Sequence, residues 1–249
     1  MRKKYTFKTQ QNFSYLKKRK NFLKKNFTKN PDYLVDGFPK YVRREEMTRL
    51  LARIELFKKI INVQGSIVEC GVYSGNGLFS WALLSSIYEP IGGILRQIIG
   101  FDTFEGFPHV NSKDTKKGKL KWKKGDLKMK TYEELISARK IFDQNRFLNQ
   151  MNKINFVKGD FIKTGPKFLK ENPHTLISLL FLDFDLYEPT KKALEIFLPR
   201  MSKNSIIVFD QINHSLWPGE TLALLEKFNI NKKEIHKFNF EVNMSYIKL

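Results

Sequence analysis

Acidic residues follow five apolar stretches that the sequence offers as strands. These residues are Glu69, Asp102, Asp160, the pair Asp183 and Asp185, and Asp210. In an open α/β sheet, ligands bind outside the carboxyl ends of the strands, so these carboxylates would line one crevice. Carboxylates gathered in one place repel each other unless hydroxyl groups, amines or a metal ion offset their charge. We therefore expect this edge of the sheet to hold a ligand.

Three of the oxygen-bearing side chains come from two neighbouring strand ends. Asp183 follows the fourth strand, and Asp210 and Gln211 follow the fifth. Mg²⁺ prefers carboxylate and carbonyl oxygens and keeps waters that a substrate can replace. No thiol or paired-histidine arrangement indicates zinc. The sequence therefore predicts a magnesium site made by Asp183, Asp210 and Gln211.

A glycine-rich stretch at residues 66–77, SIVECGVYSGNG, is predicted to position another part of this edge. It consists of a short buried strand, Glu69, and a turn with glycines at 71, 75 and 77 that opens into a helix. Glycine lets the backbone turn tightly and approach a ligand, and a helix start offers unpaired N–H groups. The spacing matches neither the dinucleotide fingerprint nor a P-loop, so a plain turn remains the alternative to a nucleotide-type cofactor site.

A second apolar run, GILRQIIGFD, ends at Asp102. An acidic residue at the end of the second strand is placed to accept hydrogen bonds from ribose hydroxyls. A helix cap or loop aspartate is the alternative. Strands and helices alternate through the rest of the chain, which predicts an α/β fold with a mostly parallel, doubly wound sheet and helices on both faces.

The connection after Asp102 is too long for a plain loop and runs to about residue 153. It contains the lysine-rich stretch KDTKKGKLKWKKGDLKMK, and a helix follows it, for which Thr131 and Glu134 match a capping box. We expect this insertion, at about 103–153, to form a lid over a substrate or, alternatively, an RNA-binding surface.

Residues 1–40 are expected to be a basic N-terminal extension of a domain at 41–249. Phe13, Leu16, Leu23 and Phe27 have spacings that a helix places on one face. This segment could dock on a partner, on an anionic membrane surface or on its own domain, or be a partly ordered tail. The sequence leaves these alternatives open. A stronger amphipathic helix follows at about 44–63.

The composition sets outer limits on function. A formal net charge of +20 suggests a polyanionic partner, but the basic residues are mostly lysines spread over many loops, which favours a generally solvated surface. The single cysteine, Cys70, forms no internal disulfide, and no run of about 18 apolar residues exists to span a membrane. Without a secretory signal, we expect a cytoplasmic protein.

Several motifs together resemble the macrocin O-methyltransferase family of sugar O-methyltransferases, which are class I S-adenosylmethionine-dependent methyltransferases. The motifs are IVECGVYSGNG, IIGFDTFEGFP, LDFDLYEPTKKALEIFLPRM, IIVFDQ and WPGET, and they cover about residues 43–249. The resemblance implies a Rossmann-like, seven-stranded sheet with its last strand antiparallel. It also implies S-adenosylmethionine as cofactor and oligomers in some relatives.

Site residues follow from the resemblance by position. It implies that the loop around the methionine part of the cofactor consists of Glu69, Gly71, Tyr73, Ser74 and Gly75. Asp102 would hold the ribose, beside Thr103 and Phe104, and Asp160 and Phe161 would flank the adenine. Asp183, Asp210 and Gln211 match the family's Mg²⁺ site, although the third ligand is commonly acidic or an asparagine, so the uncharged Gln211 implies weaker metal binding or none.

The chemistry that the resemblance implies is methyl transfer to a hydroxyl of a deoxysugar, nucleotide-linked or in a glycan or glycosylated metabolite. Mg²⁺ would orient the hydroxyl and a carboxylate would take its proton. Asp183 is the predicted base and Asp185 the alternative. His214 could reach the substrate, whereas His109, His174 and His236 receive no role. Two other hypotheses stay open: an RNA-binding methyltransferase, and a membrane-associated enzyme that uses residues 1–30 as an interfacial anchor.

Overall fold

The computed structural model describes residues 9–26, 31–115 and 122–249 of the chain. These described residues divide into two compact units, with the boundary between Thr48 and Arg49. Among the described residues, no helix has the length and apolar character needed to cross a membrane.

The first unit is helical. Helix α1 spans Gln10–Asn26 and α2 spans Pro31–Asp36, followed by a 3₁₀ turn at Phe38–Lys40. Arg19 donates a 2.6 Å hydrogen bond from Nη2 to the Tyr41 carbonyl, and Phe22 stacks on Tyr41 at 5.6 Å between ring centroids. A helix, one of the alternatives that the sequence left open for this segment, is present, and none of its side chains is buried. Phe27 lies outside the described residues.

Helix α3, Arg44–Ile60, begins in the first unit and ends in the second. The second unit then alternates strands and helices. Its strands are β1 Ser66–Cys70, β2 Ile98–Asp102, β3 Ile154–Lys158, β4 Ile177–Leu182, β5 Met201–Phe209, β6 His236–Lys237 and β7 Ser245–Lys248. Its further helices are α4 Asn76–Tyr88, α5 Tyr132–Gln144, α6 Phe161–Glu171, α7 Tyr187–Phe197 and α8 Gly219–Lys227.

The seven strands form one sheet in the order β3-β2-β1-β4-β5-β7-β6. The first five strands pair in parallel, whereas β7 is antiparallel to both of its neighbours, β5 and β6. The chain leaves β1 towards one edge and returns to β4 beside it, so the strand order reverses between β1 and β4. Ligands of open α/β sheets bind at such a point. The predicted fold class is confirmed.

Strand side chains alternate between two buried faces. Ile67, Leu179 and Ile206 pack with helices α3, α4 and α5 on one face, and their chain neighbours Val68 and Leu180 pack with α6, α7 and α8 on the other. Because both faces are covered, the central strands are apolar at nearly every position, as buried parallel strands require. This packing fixes where each strand ends.

The insertion after β2 folds back on itself next to the sheet edge. The Phe107 N–H donates to the Asp126 carbonyl at 3.0 Å, and the Gly125 N–H donates to the Phe107 carbonyl at 2.9 Å. Trp122 stacks on Trp217 of the loop after β5, with 4.0 Å between ring centroids. The described part of the insertion is thus attached to the carboxyl end of the sheet.

Helix α5 begins where the sequence predicts, but the predicted capping box at its start is wrong. Thr131 is the N-cap residue, yet its side chain makes no capping hydrogen bond. Its hydroxyl instead donates a 2.7 Å hydrogen bond to the Tyr73 carbonyl. The hydroxyl therefore links α5 to the glycine-rich loop. The backbone of Thr131 is helical (φ −106°, ψ −3°) rather than extended as in a typical capping residue.

Candidate functional site

Sheet register places the strand ends in one row. Cys70 of β1 pairs with Phe101 of β2 and with Leu182 of β4, and Leu182 pairs with Phe209 of β5. These four paired residues therefore lie at the same level of the sheet. The residues that follow them in the chain are Gly71, Asp102, Asp183 and Asp210. Their backbone amides continue the ladder: the Asp183 N–H donates to the Cys70 carbonyl at 2.8 Å, and the Asp210 N–H donates to the Leu182 carbonyl at 3.0 Å.

The loops that leave this edge contain unusual backbone conformations. Non-glycine residues with positive φ include Tyr73 (51°), Phe104 (57°), Leu127 (58°), Asp185 (62°) and Asn213 (60°). Such conformations cost free energy and persist only where the surrounding structure holds them, which is typical of ligand sites. Their gathering at one edge of the sheet marks this edge as the functional one.

A cavity of about 320 Å³ opens at this row. Nine of the residues predicted for the site line it: Gly71, Tyr73, Asp102, Thr103, Asp160, Phe161, Asp183, Asp185 and Gln211. The remaining lining is mostly apolar, with Phe107, Pro108, Leu127, Phe184, Leu186 and Trp217 among its members. The cavity therefore has a polar floor along the strand ends and an apolar wall made largely by the insertion and by loops.

Asp102 organises the glycine-rich loop. Its Oδ2 accepts hydrogen bonds from the backbone N–H groups of Val72 (2.8 Å) and Tyr73 (2.9 Å), and its Oδ1 accepts one from Phe104 (2.7 Å). A carboxylate offers about four acceptor positions, so these three bonds leave capacity for a ligand hydroxyl. The arrangement fits the predicted contact with a ribose.

Gly71 shows why this loop needs glycine. It has φ 99°, and a Cβ at this position would contact the Asp183 carbonyl oxygen. The loop therefore passes directly against the end of β4, and only a residue without a side chain leaves room there. The glycine is thus required by packing against the end of β4, at a point where Gly71 also lines the cavity.

Asp160 and Phe161 form the far side of the cavity. Asp160 is the N-cap of α6 and accepts from the Ile162 N–H at 3.1 Å, so the capping role that any strand-end aspartate could have is present here. Phe161 is buried and packs against Phe184 at 4.9 Å between ring centroids. Both residues still line the cavity, where an aromatic wall beside a carboxylate suits an adenine.

Glu69 lies behind the glycine-rich loop and does not line the cavity. Its Oε2 accepts a 2.7 Å hydrogen bond from Trp81 Nε1, and Arg53 of α3 is the nearby cation. Burial raises the pKa of Glu69 to about 7, although Arg53 and the Trp81 hydrogen bond oppose the shift. Its predicted contact with a cofactor stays a prediction.

Buried carboxylates concentrate on the β4–β5 side. Burial and the neighbouring charge of Asp210 raise the pKa of Asp183 well above its usual value, and the same two causes raise the pKa of Asp185 to about 7. Glu220, in the first turn of α8, is fully buried and accepts from the Gln211 N–H at 3.1 Å. The carboxyl groups on this side of the cavity are therefore either negatively charged or kept protonated by burial.

Arg49 of α3 lies among these carboxylates. Its Nη2 is 2.8 Å from Asp210 Oδ1 and 3.5 Å from Asp183 Oδ2. Gln211 turns its amide nitrogen to Asp210, with 3.4 Å between Nε2 and Oδ2. Within the part of the chain that the structure describes, no group of three or more His, Cys, Asp or Glu side chains could hold a metal ion, and the predicted set contains only two such residues, Asp183 and Asp210. The donor set that was predicted for Mg²⁺ thus faces a guanidinium and does not fit a divalent ion.

Four other predicted residues lie beside the cavity rather than in its wall. Gly75 starts α4 in the left-handed conformation, and Phe104 is buried against Tyr132 at 5.0 Å between ring centroids. Ser74 is exposed in the same loop. His214 accepts a hydrogen bond at Nδ1 from the Leu216 N–H at 3.3 Å, and burial lowers its pKa. Its predicted catalytic role stays a prediction.

Two features of the site were missed from the sequence. One is Arg49. The available signal was the pair Arg49 and Arg53, which lie four residues apart and so share one face of the helix. A guanidinium on a buried face needs a carboxylate partner. The other is the aromatic wall made by Phe107 and Trp217, whose centroids are 6.4 Å apart. Trp217 lies within the WPGET motif, which was read only for family resemblance.

Comparison with known proteins decides the family. A family model described as macrocin-O-methyltransferase (TylF) matches residues 4–240. The chain belongs to this family. The motifs alone covered about residues 43–249, so the match also takes in most of the N-terminal segment.

Solved structures similar to this chain include those of a methyltransferase described as acting on TDP-rhamnose. The crystal structure of CalS11, a calicheamicin methyltransferase, is 31% identical, covers 98% of this chain and 94% of its own, and superposes with a TM-score of 0.90. The apo structure of CalS11, described as a TDP-rhamnose 3'-O-methyltransferase, gives 28% identity and a TM-score of 0.82 over 98% of this chain and 96% of its own.

A curated relative from Streptomyces olivaceus is similar over a shorter range. It is the 8-demethyl-8-(2,3-dimethoxy-alpha-L-rhamnosyl)-tetracenomycin-C 4'-O-methyltransferase, 28% identical over 155 residues, which are 59% of this chain. The matched region spans about half, 53%, of that relative.

Proposed function

We propose that this protein is an S-adenosylmethionine-dependent O-methyltransferase whose acceptor is a hydroxyl of a deoxysugar of the rhamnose type, carried on a nucleotide or on a glycosylated metabolite. The observation that carries the proposal is the row of Gly71, Asp102 and Asp183 along one cavity. This row would provide a loop and a ribose contact for a nucleoside, next to a carboxylate that could serve an acceptor. The family and the rhamnose-modifying proteins that resemble this chain support the choice of acceptor.

The chain's own residues suit the donor. Asp102 would accept hydrogen bonds from the ribose hydroxyls, and Asp160 and Phe161 would hold the adenine. Gly71 and Tyr73 would pass beside the methionine part. When bound, S-adenosylmethionine supplies an electrophilic methyl group on a sulfonium. Binding donor and acceptor in one cavity makes the reaction intramolecular in effect, and such positioning supplies much of the rate.

Asp183 is the proposed base. It borders the cavity between the glycine-rich loop and the aromatic wall, with 25% of its side chain exposed. The acceptor oxygen forms the new bond to the methyl carbon, the sulfur–carbon bond breaks, and the hydroxyl proton passes to Asp183. The apolar wall around Phe107 and Trp217 would exclude water from the donor. Mg²⁺ assistance was also expected, but because Arg49 faces Asp183 and Asp210, no step here uses a metal.

The test is a transfer assay with the full-length protein and S-adenosylmethionine labelled in its methyl group. Separate reactions contain TDP-rhamnose, a rhamnosylated polyketide, total RNA and a lipid-linked sugar. We expect label in one of the two rhamnose-bearing small molecules and a shallow dependence of rate on salt. Label only in RNA, removed by ribonuclease and lost steeply with salt, would replace this proposal with an RNA methyltransferase.

A further inference from the structure

A cation, Arg49, lies against two of the carboxylates at the strand ends, Asp183 and Asp210. Arg49 belongs to the same compact unit as the two aspartates it contacts. Its side chain is 20% exposed, and that of Asp210, its nearer partner, is 5% exposed. An ion pair this sheltered from water is screened far less than one on the surface. It is therefore part of the site's structure rather than an incidental surface contact.

The charges around Arg49 favour its ionised form. Its Nη2 lies 2.8 Å from Asp210 Oδ1 and 3.5 Å from Asp183 Oδ2, so two carboxylates stabilise the positive charge. Arginine also stays protonated in proteins under ordinary conditions. The two carboxylates thus face a permanent positive charge that no change in pH or chelator removes.

The third predicted ligand reinforces this conclusion. Gln211 brings no negative charge, and the atom that it turns to Asp210 is its amide nitrogen, with 3.4 Å between Nε2 and Oδ2. A divalent ion between Asp183 and Asp210 would meet two carboxylates, one neutral amide and the guanidinium. Repulsion between the two cations in a sheltered site would oppose its binding. The arginine and the neutral third ligand both disfavour a divalent ion at this position.

We propose that Arg49 is the resident cation of the acceptor site, in the position where Mg²⁺ was expected, and that the protein needs no divalent ion. Arg49 acts as a positioning residue: its guanidinium holds the carboxylates of Asp183 and Asp210 at the cavity edge, where Asp183 meets the acceptor hydroxyl. The inference rests on the proposed function for the identity of that hydroxyl, but its claim about the cation can be tested without any acceptor.

The first experiment measures binding of Mn²⁺ alone to the full-length protein by electron paramagnetic resonance, since bound Mn²⁺ loses the six-line signal of the free ion. Wild type should leave the signal unchanged at millimolar Mn²⁺. The double variant R49L/Q211D, which removes the guanidinium and adds a third carboxylate, should take up about one equivalent. R44L is the matched control, because Arg44 lies on the same helix with 83% of its side chain exposed; it should behave as wild type. Uptake of one equivalent by wild type would overturn the inference.

A second experiment uses the acceptor found in the transfer assay. Wild-type turnover should be unchanged by EDTA, R49L should lower kcat more than tenfold with unchanged affinity for S-adenosylmethionine, and R49K should recover part of the loss. Loss of wild-type turnover with EDTA, restored by Mg²⁺, would contradict the inference.

Binding of S-adenosylmethionine shows that each variant is folded. If R49L or the double variant does not fold, the wild-type Mn²⁺ and EDTA measurements decide alone. If no acceptor is found, the Mn²⁺ result still stands, so the two proposals fail separately.

Discussion

The carboxylate of Asp114 in the insertion caps the helix that starts at Tyr187. Asp114 Oδ1 accepts a 2.6 Å hydrogen bond from the Tyr187 N–H, whereas Leu186, the N-cap residue itself, provides no side-chain cap. We expect D114A to lower the free energy of unfolding by about 1–2 kcal/mol, because a buried helix amide loses its acceptor. Urea unfolding measures the loss. D114N keeps Oδ1 and should lose less, and S112A, at an exposed neighbour, should change little; equal losses in all three would refute the capping role.

Asp102 should control the affinity for S-adenosylmethionine. We expect D102A to raise the Kd for S-adenosylmethionine about 10- to 100-fold, because charge-assisted hydrogen bonds are each worth about 1.5–3 kcal/mol. Isothermal titration calorimetry provides the value. E171A removes an acidic side chain that is 58% exposed and serves as the charge control. An unchanged Kd in D102A would show that the ribose binds elsewhere.

Asp183 should matter for turnover rather than for donor binding. D183N keeps the shape of the side chain but cannot accept a proton, so we expect kcat to fall about 10²- to 10⁴-fold. Affinity for S-adenosylmethionine should stay within a few-fold of wild type. Single-turnover rates with labelled donor make the comparison. Wild-type turnover in D183N, with activity lost in D185N, would move the base to Asp185.

The aromatic wall should recognise the acceptor. Removing the Trp217 ring by W217A takes away a cavity wall and the partner of Trp122, so we expect KM for the acceptor to rise about tenfold or more. W217F retains an aromatic face, so its KM for the acceptor should lie between those of wild type and W217A. Initial rates at saturating S-adenosylmethionine separate KM from kcat. If W217A changes the Kd of S-adenosylmethionine and leaves acceptor KM unaltered, the wall belongs to the donor instead.

Glu69 should give stability a pH dependence of definite sign. Its pKa is about 7 in the folded protein against an ordinary 4.5, so the folded state binds the proton more tightly than the unfolded state. Protonated Glu69 therefore contributes up to about 3 kcal/mol to the free energy of unfolding. This contribution is complete below about pH 4.5 and is lost as the pH rises through about 7. E69Q stays neutral, so its stability relative to wild type should increase across this interval. Unfolding free energies measured from pH 4.5 to 8 test it; parallel curves for the two proteins would show that Glu69 ionises without cost.

Local sequence patterns were enough to predict most of the fold and the row of residues at the strand ends. Short apolar runs that alternate with helices placed Asp102, Asp183 and Asp210 at one edge, because the carboxyl ends of parallel strands lie at the same edge of a sheet. What could not be predicted depends on contacts distant in sequence. Arg49 reaches Asp183 across 134 residues, and the Thr131 hydroxyl prefers Tyr73 to the helix that it precedes. Such choices are made by tertiary packing, which spacing alone does not contain.

The contact of Gly71 with the Asp183 carbonyl limits how a protein of this kind can acquire a new acceptor. The donor loop and the strand that bears the base share one backbone contact, so a substitution that moves either one disturbs methyl donation itself. The walls that can vary independently are Leu127 and Pro108 of the insertion and Trp217 after β5. Libraries that seek altered sugar selectivity should therefore randomise these three positions and leave residues 71 and 183 unchanged.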